Sequence, residues 1–223
     1  MIEGDNVINN IKTLKRIFPY LNDINKTQKL LIDKESIHFI SLKEDAEQIS
    51  QIICECLQKH NKVALDCVIT DATAGVGGNV ISFSQFFKKI YAIEIDNKRC
   101  EYLINNLKIY DITNVEIING NCTEYLSQIE DHDVVYADVP WGGTEYKESE
   151  ILRLNFCNQS IENFCLDLLK PQIMKKVPLL IVMKLPKNYD IPYFFKRINE
   201  HNKPIYFYDL KKMFVLVILN KID

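Results

Sequence analysis

The hexapeptide Asp138-Val139-Pro140-Trp141-Gly142-Gly143 joins a carboxylate, a proline-fixed turn and the only tryptophan of the chain, directly after the strand-like run Asp133-Val134-Val135-Tyr136-Ala137. These residue types can hold a flat aromatic amine. N–H bonds to Asp138 would orient the amine, and Trp141 offers a π face whose stacking contributes about 1–3 kcal/mol per base. Pro140 restricts φ and removes a donor, which stiffens the turn, and Gly142 with Gly143 leaves space beside the indole. The lone pair of an exocyclic amine is delocalised into its ring, so transfer to it depends on alignment of donor and acceptor at about 3 Å. Asp138, Pro140 and Trp141 are therefore the candidate catalytic residues.

A second constellation precedes the first. The apolar run from Val68 ends in Asp71-Ala72-Thr73-Ala74-Gly75-Val76-Gly77-Gly78-Asn79, and a later apolar run ends in Glu94-Ile95-Asp96. A glycine-rich turn after a strand lets backbone approach a ligand closely at the C-terminal edge of a parallel sheet. A carboxylate at the end of the next strand can accept both hydroxyls of a ribose. The order is neither GxGxxG nor GxxxxGK[ST], which disfavours a diphosphate and fits an adenosine carrying an amino acid, S-adenosylmethionine. The expected cofactor residues are Asp71, Thr73, Ala74, Gly75, Gly77, Asn79, Glu94 and Ile95, with Asn121 and Cys122 after the third strand, where adenine would lie, and Asp138 from the facing turn. No metal is expected, because the four histidines are dispersed and no CxxC occurs.

Both constellations must be carried by alternating strands and helices. Strands are predicted over Val68–Asp71, Ile90–Ile95, Val115–Ile118, Val134–Asp138 and Pro178–Lys184. Helices are predicted over Lys43–Lys59 with Ser41 as N-cap, Val80–Lys88, Lys98–Tyr110, Thr123–Ile129, Asn158–Met174 and Pro192–His201. This rhythm implies an α/β fold with a mostly parallel sheet. Ile205–Asp209 and Met213–Asn220 are separated only by Leu210-Lys211-Lys212, too short for a parallel crossover, so the chain closes with an antiparallel hairpin. Residues 1–40 read as an N-terminal extension and 41–223 as the main domain.

Composition bounds the partners. The chain has 223 residues, 27 basic against 30 acidic, and a sequence pI of about 5.9, which argues against wholesale grip on a nucleic-acid backbone while leaving room for a nucleic-acid end. Seven scattered cysteines suit reduced thiols in an intracellular compartment, cytoplasmic or nuclear. No apolar run reaches the ~20 residues that span a bilayer, so no membrane association is expected, and a monomer is favoured.

With both constellations located, the sequence resembles the trimethylguanosine synthase family, the RNA cap guanine-N2 methyltransferases of class I, Rossmann-like fold. The resemblance runs through Asp71, Gly75-Val76-Gly77-Gly78-Asn79, Ala92-Ile93-Glu94-Ile95-Asp96, Asn105-Asn106, Pro140-Trp141-Gly142-Gly143, Leu185-Pro186-Lys187-Asn188 and Asp190-Ile191, and more weakly through Ile32-Asp33-Lys34-Glu35 and Phe39-Ile40-Ser41. It implies a seven-stranded sheet, S-adenosylmethionine held by Asp71, Glu94 and the glycine turn, and 7-methylguanine of capped RNA or a cap nucleotide stacked on Trp141. It further implies Lys187 at cap phosphate, Gly142, Asn188 and Ser41 in the substrate set, and the extension as a candidate lid. Two departures stand out: Asp138-Val139 replaces the family's Ser-Pro, as in amino-methyltransferases with an Asp-Pro-Pro-aromatic turn, and Asn121-Cys122 replaces an acidic residue and an aromatic. Methylation of an internal rRNA or tRNA base, or a cap-binding module without turnover, stay open as alternatives, as does transfer of one methyl or two. From the residues alone, Lys184, Lys187 and Asn188 read as a solvated loop after a strand.

Overall fold

The computed structural model describes residues 7–143 and 145–220, so the first six residues of the extension, Thr144 and the last three residues lie outside it. Short apolar runs bounded by turn residues form the strands β1 (Val68–Asp71), β2 (Lys89–Glu94), β3 (Val115–Asn119), β4 (Val134–Ala137), β7 (Leu180–Pro186), β8 (Ile205–Asp209) and β9 (Met213–Leu219), with a small separate ribbon of β5 (Asn155–Phe156) and β6 (Gln159–Ser160). The main sheet has the order β3-β2-β1-β4-β7-β9-β8. Its first five strands are parallel, and β9 runs antiparallel to both β7 and β8. The predicted α/β sheet with its terminal hairpin is what the chain builds. From β1 the chain winds outward through β2 and β3, then returns to place β4 on the other side of β1. Ligands of such sheets bind at the strand C-termini where this reversal occurs.

Alternating side chains of the central strands feed two cores, one on each face. Ile69, Val134, Tyr136 and Val182 point into the first with α3 (Lys43–Gln58), α4 (Gly78–Phe83) and α5 (Asn97–Ile109). Val135, Ala137, Ile181 and Met183 point into the second with α7 (Ile161–Leu168) and α8 (Ile191–Asn199). Helices α1 (Ile11–Ile17) and α2 (Ile24–Gln28) of the extension start at side-chain caps, Asn10 accepting from the Thr13 N–H at 3.2 Å and Asp23 from the Asn25 N–H at 2.8 Å. Leu14, Ile17, Phe18, Leu30 and Ile32 then join the first core. Buried Asn106 clasps the extension to the glycine turn. Its Oδ1 accepts the Leu31 N–H at 2.8 Å, while its Nδ2 donates to the carbonyls of Leu31 at 2.8 Å and Val76 at 2.9 Å.

Several element limits differ from expectation for physical reasons. Ser41 does not cap α3: the N-cap is Leu42, which makes no side-chain cap bond. Helix α4 ends at Phe83, and the carbonyls of Ser84 and Phe87 beyond it are satisfied by Asn114 Nδ2, both at 3.0 Å. The helix predicted over Asn158–Met174 shrinks to Ile161–Leu168. Cys157 (φ +51°) and Asn158 (φ +63°) make the two-residue turn of the β5–β6 ribbon, the geometry that two-residue hairpins require. Pro171 stands just beyond the observed helix end, where a proline cannot continue it. The stretch Thr123–Ile129 divides into α6 (Cys122–Tyr125) and a 3-10 turn over Leu126–Gln128.

Candidate active site

A cavity of about 810 Å³ opens at the C-terminal edge of β1 and β4, lined by the glycine turn, the ends of β2 and β3, the Asp138–Gly143 turn, β7 and the extension around residues 35–42. That is at the large end of the range for small-molecule sites. Among the described residues, no helix is long and apolar enough to cross a membrane.

On one side the glycine turn leaves β1 at Asp71. Gly75 (φ +54°) and Gly77 (φ +103°) adopt left-handed backbone that β-carbon-bearing residues resist. Gly78 serves differently: a Cβ there would lie 2.7 Å from Ile40 Cγ1 and 3.1 Å from the Ser41 carbonyl, so its lack of a side chain lets the extension close on the turn. Glu94 braces the loop. Its Oε2 accepts the Gly75 N–H at 2.7 Å and its Oε1 the Asp96 N–H at 2.9 Å, and each oxygen keeps acceptor capacity for a further donor such as a hydroxyl. Asp71 is fully buried. Its Oδ1 accepts the Thr73 N–H at 3.0 Å, while Oδ2 and the Asn79 Oδ1 have no hydrogen-bond partner among the described residues. Burial, added to by the nearby carboxylates of Asp138 and Glu94 and partly offset by the Thr73 N–H, pushes the Asp71 carboxyl up to about 7. The unpaired Asn79 Oδ1 at the cavity wall and the raised Asp71 carboxyl at the end of β1 suit a ligand's ammonium. Ala74, Asn79, exposed Ile95, Asn121 and Cys122 all line the same cavity. Asn121 caps α6 through the Thr123 N–H at 3.1 Å, and the Cys122 thiol, raised by burial, lies 3.9 Å from that of Cys157.

The facing side carries the Asp138 turn. The Asp138 N–H donates to Thr73 Oγ1 at 2.8 Å, so one hydroxyl stitches the two sides together. Gly142 (φ +94°) and Gly143 (φ +67°) have nothing within 4 Å of where a Cβ would stand, which leaves open space beside the indole. The Trp141 ring meets Tyr146 edge-on at 5.2 Å and 78°. Among the described residues its Nε1 has no hydrogen-bond partner. Pro140 is exposed at the cavity rim.

Lys184 overturns the solvated-loop reading. It lies inside β7, is 3% exposed, and donates to Asp138 Oδ2 at 2.6 Å and to Ser41 Oγ at 3.0 Å. Its ammonium is 5.4 Å from the centroid of the Trp141 ring. Burial raises the Asp138 carboxyl, and the Lys184 charge opposes that rise. Ser41 thus belongs to the site through Lys184, not as a helix cap.

Other expected positions fall elsewhere. Asp71, Gly77 and Gly142 support the turns without lining the cavity, and neither Lys187 nor Asn188 lines it. Lys187 is engaged by Asp209 and lies 4.6 Å from the Phe214 ring. Asn188 Nδ2 donates to the carbonyls of Tyr146 and Ser149, both at 2.7 Å, and so holds the segment that presents Tyr146. Among the described residues, Arg16, Arg99 and Lys212 line the cavity together with Lys184. Arg99 fastens the extension through Glu35 at 3.0 Å and the Phe39 ring at 4.9 Å.

The chain is similar to known proteins in sequence and in fold. Residues 65–212 match the family described as RNA cap guanine-N2 methyltransferase. An uncharacterised protein of Acanthamoeba polyphaga mimivirus is 36% identical over 228 residues, 94% of this chain and 86% of that one. The trimethylguanosine synthase of Saccharomyces cerevisiae is 26% identical over 129 residues, 55% of this chain but 39% of the yeast protein. Among solved structures, precorrin-6y C5,15-methyltransferase from Geobacter metallireducens superposes with a TM-score of 0.54 at 16% identity, covering 82% of this chain and 90% of that one. Fibrillarin from Aeropyrum pernix, in complex with natively bound S-adenosyl-L-methionine, gives 0.50 at 13% identity, with 78% and 76% covered. These structural likenesses show the fold, that of class I S-adenosylmethionine-dependent methyltransferases.

Proposed function

The chain belongs to the RNA cap guanine-N2 methyltransferase family of S-adenosylmethionine-dependent enzymes, and from that premise we propose that it methylates the exocyclic N2 of guanine in a 7-methylguanosine cap. The product is 2,7-dimethylguanosine and, after a second round, 2,2,7-trimethylguanosine. One observation carries the reading: Trp141 and Asp138 face the same cavity as the glycine turn, and Thr73 ties the two turns together through the Asp138 N–H.

S-adenosylmethionine supplies an electrophilic methyl on sulfur. Glu94 would take its ribose hydroxyls, the unpaired Asn79 Oδ1 and the raised Asp71 carboxyl suit its ammonium, and Ile95, Asn121 and Cys122 would border its adenine. Trp141 would stack on the base, with a cation–π contribution because N7-methylation makes guanine cationic. Asp138 would accept an N2–H bond, which orients the nitrogen and gives its proton somewhere to go as the N–C bond forms. The phosphates would be met by Arg16 and Lys212 on the cavity wall, since Lys187 is engaged outside it. Such a protein would act where capped RNA is present, in cytoplasm or nucleus.

The test is mass-resolved methyl transfer from S-adenosylmethionine to 7-methylguanosine triphosphate, GTP and uncapped RNA. Product on the 7-methylated nucleotide alone is expected. Product on uncapped RNA alone would replace the reading with internal base methylation, and donor binding without transfer to any acceptor would leave a cap-binding module.

A further inference from the structure

Lys184 sits where a cation needs a reason. Its neighbours Met183 and Leu185 are fully buried, and an ammonium among apolar strands persists only when partners replace its hydration. The sheet register supplies them. Ala137 pairs with Met183 across β4 and β7, so the next residues, Asp138 and Lys184, fall side by side at the cavity wall. The charged or titratable groups facing this pair are Asp71 from β1 and Tyr136 from β4; Ser41 and Trp141 complete its surroundings. A buried ion pair contributes little net stability relative to apolar packing, which directs attention to what the pair does at the site.

We infer that Lys184 is a positioning residue for amine methylation: by gripping Asp138 Oδ2 it fixes the carboxylate as an anion whose Oδ1 meets the acceptor amine. The inference rests on the proposed reading and names the residue that makes Asp138 competent in it. As the N2–C bond forms, the carbon–sulfur bond of the donor breaks and sulfur leaves as a neutral thioether. The positive charge moves to N2 and is discharged when the N2 proton passes to Asp138, which later yields it to solvent. Without Lys184, burial would favour a protonated Asp138, which cannot receive that proton.

The experiment is kcat against pH for wild type, Lys184→Gln and Lys184→Arg with 7-methylguanosine triphosphate, with folding checked by circular dichroism. Removing a charge this close should raise the acid limb of the Gln variant by about 1–3 pH units and lower kcat at neutral pH roughly 10²-fold. Lys184→Arg should keep the limb where wild type has it. In an Asp138→Asn background, Lys184→Gln should move no limb. A merely structural lysine would lower activity equally at all pH; an unmoved limb, or one that moves equally in the Asp138→Asn background, overturns the inference. Should wild type methylate no guanine nucleotide, the substrate reading fails by itself. Lys184 is then judged by NMR titration of the Asp138 carboxyl carbon, which must move upward in Lys184→Gln; an unmoved titration sinks the inference.

Discussion

On the glycine-turn side of the cavity, the contacts that brace the turn from within join residues two to nineteen apart in sequence, Thr73 to Asp71, Asp96 to Glu94 and Gly75 to Glu94, while Asn106 to Val76 and Asn79 to Tyr136 reach 30 and 57 residues. On the tryptophan side they join residues 46 to 143 apart, Lys184 to Asp138, Asp138 to Thr73 and Lys184 to Ser41. The first side is a local device whose shape follows from glycines and one bracing carboxylate. The second exists only once the sheet register is set and the extension has closed. The donor pocket should therefore tolerate changes in the rest of the fold, while acceptor chemistry should respond to distant ones.

The largest break between the two sides is expected from Asp138→Ala. Loss of the group that orients the amine and takes its proton should lower kcat about 10²–10⁴-fold with little change in KM, and donor affinity should stay near wild type. Because Lys184 would be left buried without its partner, roughly 3–5 kcal/mol of stability is also at risk, so thermal unfolding must accompany the kinetics. Asp138→Ser should recover part of kcat. Full kcat in the alanine variant would remove Asp138 from the mechanism.

Trp141→Ala tests the same side through binding. Loss of about 1–3 kcal/mol of stacking should lower kcat/KM for 7-methylguanosine triphosphate by about 5- to 150-fold, with Trp141→Phe intermediate and donor affinity unchanged by calorimetry. An alanine variant with normal folding and unchanged kcat/KM would mean that the base lies elsewhere.

Glu94→Ala reverses the pattern. Removing charge-assisted bonds worth about 1.5–3 kcal/mol should weaken S-adenosylmethionine binding by about 10- to 150-fold and leave cap affinity unmoved. The opposite result would exchange the two sides.

The smallest effect is a proton count. Asp71 titrates near 7, above the usual carboxylate range, so at pH 7 it is about half protonated. A cationic ligand in the cavity in front of Asp71 would lower that value, and binding at pH 7 should release up to about half a proton. The release should fade on raising the pH well above 7, where Asp71 is already ionised. Calorimetry in buffers of different ionisation enthalpy measures it, and no release at pH 7 would place the ligand's ammonium away from Asp71.

The same local-versus-distant contrast decides what was legible in the sequence. The glycine turn, Glu94, the Pro140-Trp141 turn and the closing hairpin are written in adjacent residues, and all are found where their neighbours imply. Lys184 was not legible as a loop residue because its role depends on β4 lying beside β7; the available hint was a single lysine inside the apolar run Leu180–Leu185, a charge that had to find a partner. Local sequence marks Ser41 as a cap because caps depend on adjacent residues, whereas its hydroxyl answers a lysine 143 residues away. The helix predicted from Asn158 takes in the second strand of the ribbon because turns with positive φ at Cys157 and Asn158 carry no glycine to announce them. Arg16 and Lys212 reach the cavity only through tertiary placement, and nothing near them in sequence marks it.

The Asn106 clasp also sets a timetable. Leu31 leaves the ribosome 75 residues before the amide that will hold it, about 4–15 s at ordinary rates of synthesis. During that interval the first core, which Leu14, Ile17 and Phe18 share with Tyr102, Leu103 and Leu107 of α5, lacks that helix. The extension is thus among the later segments to settle, and the wait leaves a nascent apolar surface that a chaperone can hold until Asn106 arrives.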